Sequence, residues 1–265
     1  MTLPASVVFG GVLAAFVLLH VIAWKLAEKL GRRPRIVVGI LSLVLCLPGA
    51  LFAFYYLHIL PEPPLLYQLR ALPLSEGFLA AFGIAAGVWR SILPKVMKPL
   101  PTAATVFVLT LPFLKPVFRP LDLSSLTEHW EGDACIQSSV VTCGPASAAS
   151  IMRFLGDRET KESHLAHDAW TSQSGTEAWH LARAVEQRGF KVRFLAPDGL
   201  PETKDLPGII GTGGRGAGHF IAILEIANGE IVYVDPMRGK AHDKLDYFLK
   251  WHPLEPFFMS IQRKR

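Results

Sequence analysis

Two kinds of residue are scarce in this chain of 265 residues. Only three are cysteine, namely Cys46, Cys135 and Cys143, too few for a disulfide framework. Acidic side chains are almost missing before residue 120, where Glu28, Glu62 and Glu76 face 11 Lys and Arg, a net of +8. Residues 120–265 carry 16 basic and 19 acidic side chains, a net of −3, so the basic excess belongs to the first half alone. A mildly acidic second half argues against nucleic acid as its partner. Charge is thin overall, at 18% of residues, and mean hydropathy is +0.33. Those values exclude one ordinary soluble domain.

What the first half has instead is apolar length. A membrane span needs roughly 20 apolar residues to cross about 30 Å of hydrocarbon. Leu3 to Trp24 meets that length with only His20 as a mildly polar interruption, and Ile36 to Leu60 meets it again. Gly77 to about Leu93 is a shorter candidate, and Thr102 to about Phe118 is interrupted by Pro112, Lys115 and Pro116. The first segment lacks the basic start and small-residue cleavage site of a signal peptide. Residues 1–119 therefore read as a bundle of about four transmembrane helices with the lipid bilayer as partner.

Loop charge sets the orientation. The first loop holds Lys25, Lys29, Arg32, Arg33 and Arg35, and the third holds Lys95 and Lys98, so both should stay in the cytoplasm. The second, "PEPPLLYQLRALPLSE", is nearly neutral and should face out. The expectation is a multi-pass protein of a bacterial inner (cell) membrane, with its N-terminus and its C-terminal domain extracytoplasmic.

That domain spans residues 120–265 and opens on the polar, turn-rich stretch "RPLDLSSLTEHWEGDA", which reads as a linker. Helices come first. One is predicted from about Pro145 to Leu155, with Gly156 as its stop. A second covers Thr160 to Trp170. A third runs from about Glu177 to Arg188, with Thr176 as N-cap and Gly189 as stop. Strands follow at "KVRFLA", "GIIGT", "HFIAILEI", "EIVYVDP" and "FFMSIQR". Helices then strands predict an α+β domain with a mostly antiparallel sheet.

Chemistry concentrates at "CIQSSVVTCGPASAASIMRFLG", residues 135–156. Cys143 falls at the N-terminal edge of a predicted helix, where unpaired N–H groups and the helix dipole favour a thiolate. A nucleophilic thiol also needs a base. Among seven histidines after residue 120, His219 stands out, because it opens a strand and the next strand ends in Asp235. Ala227-Asn228-Gly229 between those strands signals a hairpin. A three-residue loop at 227–229 would set Asp235 opposite Ile221 and leave His219 as its diagonal neighbour, about 7–8 Å away on the same face. A two-residue loop at Asn228-Gly229 would put them on opposite faces. The three-residue loop is therefore expected. Gln137 can donate to a developing oxyanion together with the Cys143 N–H. Nucleophile, base, orienting group and oxyanion donor are then all present, as in Cys-His-Asn/Asp hydrolases.

The segments "QSSVVTCGPASAASIMRFLG", "GHFIAIL" and "VYVDPMRG", in that order, resemble the peptidase C39 family. These are papain-like cysteine peptidases, best known as processing domains of bacteriocin-exporting ABC transporters. The resemblance implies Cys143 as nucleophile, His219 as base, Asp235 as its orienting group and Gln137 in the oxyanion hole. It implies cleavage of a peptide or protein substrate, often after a Gly-Gly leader, with no metal and no cofactor. In the exporters the peptidase precedes the transporter. Here it follows the apolar segments, and the sequence contains no G-x4-G-K-[S/T] phosphate loop. An exporter would have to act in trans.

Other readings stay open from sequence. Cys135 and Cys143 could pair in an oxidising compartment, which would cap the nucleophile. Gly211-x-Gly213-x-x-Gly216 matches a dinucleotide fingerprint in form, yet a strand rather than a helix follows it, so a loop beside the cleft is the better reading. A non-catalytic peptide-binding module, and an amidase or transferase acting on cell-wall peptides, are the competing functions. The second would share the acyl-enzyme step.

Overall fold

The computed structural model describes residues 2–57, 62–213 and 218–264. The end of the second apolar segment and half of the glycine-rich run, including Gly216, lie outside the described residues. The chain forms two compact units, one of Leu3–Glu62 and Leu72–Phe118, the other of Met1–Thr2, Pro63–Ala71 and Arg119–Arg265.

The first unit is helical. It holds α1 (Ala5–Glu28), α2 (Arg32–Leu45) and α3 (Leu47–Leu57). After α4 (Pro64–Ala71), which belongs to the other unit, come α5 (Phe82–Ile92), α6 (Pro99–Thr110) and α7 (Leu114–Phe118). Among the described residues, two stretches are long and apolar enough to cross a membrane, Ala5–Glu28 and Lys95–Phe118. The count reaches four if each of two bent helix pairs is one span. Gly83 and Gly87, one turn apart on α5, let it press on α1. A Cβ on Gly83 would lie 2.3 Å from Phe16 O, and one on Gly87 2.3 Å from His20 O. Small residues at this spacing permit such close backbone approach between apolar helices.

The second unit sets helices against a six-stranded sheet. The helices are α8 (Cys143–Phe154), α9 (Glu162–Asp168), α10 (Ala178–Glu186) and α11 (Leu245–Trp251). A small hairpin, β1 (His129–Glu131) and β2 (Ala134–Ile136), precedes them. The sheet strands are β3 (Phe190–Leu195), β4 (Gly208–Thr212), β5 (His219–Ala227), β6 (Glu230–Asp235), β7 (Gly239–Lys244) and β8 (Leu254–Arg263). Their order is β3-β8-β4-β5-β6-β7, and every pairing is antiparallel. Ile210, Ile221, Ile223, Ile231, Tyr233 and Phe258 cluster with Phe248 of α11. α8 packs on β5 through a run of small buried residues that includes Ala146, Ala148 and Ala149.

Several predicted boundaries move. α8 begins at Cys143 itself, and Gly156 beyond its end has φ +92°. α10 is capped by Glu177, not Thr176, and Gly189 after it has φ +85°. β7 and α11 were not expected. β7 reads "GKAHDK", an edge strand whose exposed residues are polar.

The β5–β6 hairpin corrects one expectation. Ala227 pairs with Glu230, so the loop has two residues, not three. Asn228 (φ +52°) and Gly229 (φ +78°) are both left-handed, as a type I′ turn requires. Alone, this loop would put His219 and Asp235 on opposite faces. A bulge restores them. Glu225 pairs with Val232 but Ile223 with Tyr233, which leaves Leu224 as the extra residue. Ala222 then pairs with Val234, and one step further Asp235 comes level with Ile221.

Candidate active site

Two contacts fix the start of α8 against β5. Gly144 packs tightly, since a Cβ there would lie 3.2 Å from both Leu181 Cδ2 and Phe220 Cδ2 and would press on them. Ser147, one turn on, donates its hydroxyl to Phe220 O at 3.1 Å. Phe220 follows His219, so the helix start carrying Cys143 is held beside the strand start carrying the histidine.

His219 Nε2 lies 2.8 Å from Asp235 Oδ1. The Cys143 side chain is the second polar group that acts on this ring. Cys143 is half-buried. The His219 side chain is 23% exposed and that of Asp235 7%. The Asp235 hydrogen bond, then the one to Cys143, holds the His219 pKa up at about 9 against the opposing effect of burial. Burial pushes the Asp235 carboxyl up, but bonds from His219 and the Met237 N–H, with the charges of His219 and Arg238, bring it below its ordinary value. The Met237 N–H donates to the same Oδ1 at 2.9 Å, which fixes the carboxylate plane. Asp235 and Cys143 thus both act on the His219 ring in the direction that favours its protonated form.

Gln137 sits on the segment that enters α8. Its backbone N–H donates to Pro236 O at 2.9 Å, next to Asp235. Its Nε2 donates to Ser139 O at 2.9 Å. The Thr142 N–H and hydroxyl donate to that same oxygen at 3.1 and 2.8 Å. The Gln137 amide therefore lies beside the residue that precedes Cys143. An amide NH₂ carries two protons, and Ser139 O takes one, so a second donor remains for an incoming oxygen. The first N–H groups of α8 have no acceptor within the helix, and Pro145 contributes none.

The two cysteines of this segment differ sharply. Cys135 is fully buried, and burial together with Glu162 and Glu128 pushes its thiol up, so it stays protonated. All three cysteines are free, and no bond joins Cys135 to Cys143. A second histidine within electrostatic reach of Asp235 and His219, His252, stacks on Phe248 with ring centroids 4.6 Å apart, and burial lowers its pKa.

Sequence reasoning missed Thr142, Ser147 and Glu162. Ser147 lies at helical spacing from Cys143, a signal for a shared face. Nothing in the linear pattern ties Glu162 to the site, 24 residues downstream of Ser138 with which it bonds.

The model of the peptidase C39 family matches residues 133–252. An uncharacterized protein of Methanothermobacter marburgensis is 30% identical over 121 residues, 45% of this chain and 83% of that one. One of Methanothermobacter thermautotrophicus is 29% identical over 119 residues, 44% and 82% of the two chains. Among solved structures, the peptidase domain of Streptococcus ComA, a bi-functional ABC transporter involved in a quorum-sensing pathway, is 19% identical at a TM-score of 0.41, covering 49% of this chain and 96% of that one. A double glycine motif protease from an AMS/PCAT transporter, solved with the leader peptide, is 15% identical at a TM-score of 0.39, covering 55% and 99%.

Proposed function

Since the chain belongs to the peptidase C39 family, we propose that it is a membrane-anchored cysteine peptidase cleaving a peptide or protein substrate, with Cys143, His219, Asp235 and Gln137 as its machinery. One observation carries the reading. His219 Nε2 bonds to Asp235 Oδ1 at 2.8 Å at the strand start that Ser147 ties to the Cys143 helix, and both Asp235 and Cys143 push the ring's pKa up to about 9. An imidazolium at neutral pH is the partner a thiolate nucleophile needs.

The Cys143 sulfur attacks the scissile carbonyl carbon. Its oxygen becomes an oxyanion that takes hydrogen bonds from the free Gln137 Nε2–H and the Cys143 N–H. His219 gives its Nδ1 proton to the leaving amine, and the C–N bond breaks to leave a thioester. The neutral ring then takes a proton from water, whose oxygen attacks the thioester and releases the acid, with the sulfur leaving as the thiolate beside the restored imidazolium. Asp235 keeps the ring oriented through both halves.

Loop charge supports a topology. The basic loops around Lys25–Arg35 and Lys95–Lys98 stay in the cytoplasm, with two apolar stretches and two bent helix pairs as the four spans. The peptidase unit then faces outward.

The test is chemical. The full-length protein is treated with a thiol-directed peptide electrophile and the adduct is mapped. Selective labelling of Cys143, lost in His219→Ala and kept in His164→Ala, is expected. A folded protein with no selective labelling refutes the peptidase reading. A reporter fused after Arg265 tests the topology, which a cytoplasmic signal would refute.

A further inference from the structure

Glu162, the first residue of α9, is 1% exposed. Every hydrogen bond its carboxylate makes among the described residues goes to Ser138. The Ser138 N–H lies 2.9 Å from Oε1 and 3.2 Å from Oε2. The Ser138 hydroxyl contacts Oε2 closely and also lies 2.8 Å from Thr127 O. A carboxylate taken out of water is costly, and here its compensating hydrogen bonds among the described residues all fix one residue.

That residue follows Gln137, and the consequence is geometric. The Gln137 N–H is held by Pro236 O at 2.9 Å, which pins the peptide unit before its Cα. The Ser138 N–H is held by Glu162, which pins the peptide unit after it. With both flanking planes fixed, the two soft dihedrals of Gln137 are fixed as well. One anchor is the backbone beside Asp235, and the other is Glu162. Ser139 O, bonded to Thr142, then receives the amide itself.

We propose that Glu162 is a positioning residue for the oxyanion donor: its buried carboxylate holds the Gln137–Ser138 peptide so that the Gln137 amide faces the carbonyl attacked by Cys143. The assignment rests on the peptidase reading above. It adds a residue on a different helix, whose effect reaches the reaction only through Gln137.

The experiment separates the oxyanion hole from the nucleophile in the full-length protein. Iodoacetamide alkylates a thiolate by displacement at a saturated carbon and forms no oxyanion, so its rate reads Cys143 and His219 alone. A peptide aldehyde ending in Gly-glycinal adds the thiol to its carbonyl, and the oxygen of the adduct must sit in the hole. Glu162→Ala is expected to keep its alkylation rate and to lose about tenfold or more in aldehyde affinity, the cost of one charge-assisted positioning contact. Gln137→Ala should lose aldehyde affinity too, and the double variant should lose far less than the product of the single effects. Glu162→Gln should restore binding. Its carbonyl accepts from the Ser138 N–H, and its NH₂ donates to the Ser138 oxygen, freeing that hydroxyl for Thr127 O.

Unchanged aldehyde affinity in Glu162→Ala overturns the proposal. So does a parallel fall in alkylation, which would mark general collapse of the site, and so does full multiplicativity with Gln137→Ala. If Glu162→Ala does not fold, Glu162→Asp, one methylene shorter, carries the same comparison. Absence of selective Cys143 alkylation in the unaltered protein is a separate result, and it would fell the peptidase reading itself.

Discussion

Replacing Asp235 with Asn tests the charge arrangement most directly. The change keeps shape and acceptor. In the native site Oδ1 receives both His219 Nε2 at 2.8 Å and the Met237 N–H at 2.9 Å, and an amide oxygen can accept both. What it removes is the negative charge. The His219 pKa stands at about 9 instead of 6.5, with the Asp235 hydrogen bond as the largest cause. That gap corresponds to about 3 kcal/mol in favour of the protonated ring. A charge-assisted bond is roughly twice as strong as a neutral one. Losing the charge should therefore bring the ring's pKa down by about one pH unit or more.

The sign follows from the chemistry. The reactive form needs the imidazolium, so kcat/KM should hold to high pH and fall as His219 loses its proton near pH 9. In Asp235→Asn the alkaline limb should move toward neutral pH, with little loss at pH 6 and a large loss near pH 9. The same linkage acts on stability. A ring held protonated by the fold contributes fully below its ordinary 6.5 and loses that contribution as pH rises toward about 9. The assay is kcat/KM against pH from 5 to 10, alongside iodoacetamide alkylation of Cys143. An alkaline limb that does not move in Asp235→Asn, or one near 6.5 in the unaltered protein, would refute the imidazolium argument.

Gln137→Ala should lower kcat by about 10²–10³ with little change in KM, as for loss of one oxyanion donor, measured by steady-state hydrolysis. Tyr67→Ala should destabilise the second unit by about 2 kcal/mol, read by limited proteolysis or hydrogen exchange, because Tyr67 of α4 stacks on Phe194 and meets Phe257 edge-on, each at 5.3 Å. A proteolysis profile unchanged by Tyr67→Ala would show that α4 adds nothing to that unit.

The motif around Cys143 was legible because each signal is local. Proline suits the first turn of a helix, a small residue lets the helix start approach its neighbour, and a glycine beyond the last turn can take φ +92° at no steric cost. α4 was not legible as part of the second unit. "PLLYQLRA" reads as a neutral loop between two apolar segments, and its partners lie more than a hundred residues away. Gln68 Oε1 accepts from the Phe194 N–H at 3.4 Å, and Arg70 lies over Trp179 at 5.2 Å. Glu162 was invisible for the same reason. A glutamate in the first turn of a helix looks like an ordinary complement to the helix dipole, and only the fold reveals that it is buried against Ser138.

The hairpin shows how a correct neighbour can follow from an incorrect register. Side chains alternate with period two, so only the parity of the offset between the strands decides whether two residues share a face. A three-residue loop and a two-residue loop with one bulged residue have the same parity. Asn228-Gly229 dictates the shorter loop, because both residues tolerate positive φ. The bulge at Leu224 leaves no trace in the sequence. Ile221 to Leu224 are buried on both faces of the sheet, so apolar residues run without alternation and no period marks the extra one. Parity came instead from chemistry: a histidine opening one strand and an aspartate closing the next must meet to be of use. With Asn228-Gly229 setting a two-residue turn, the bulge is what brings His219 and Asp235 to the same face.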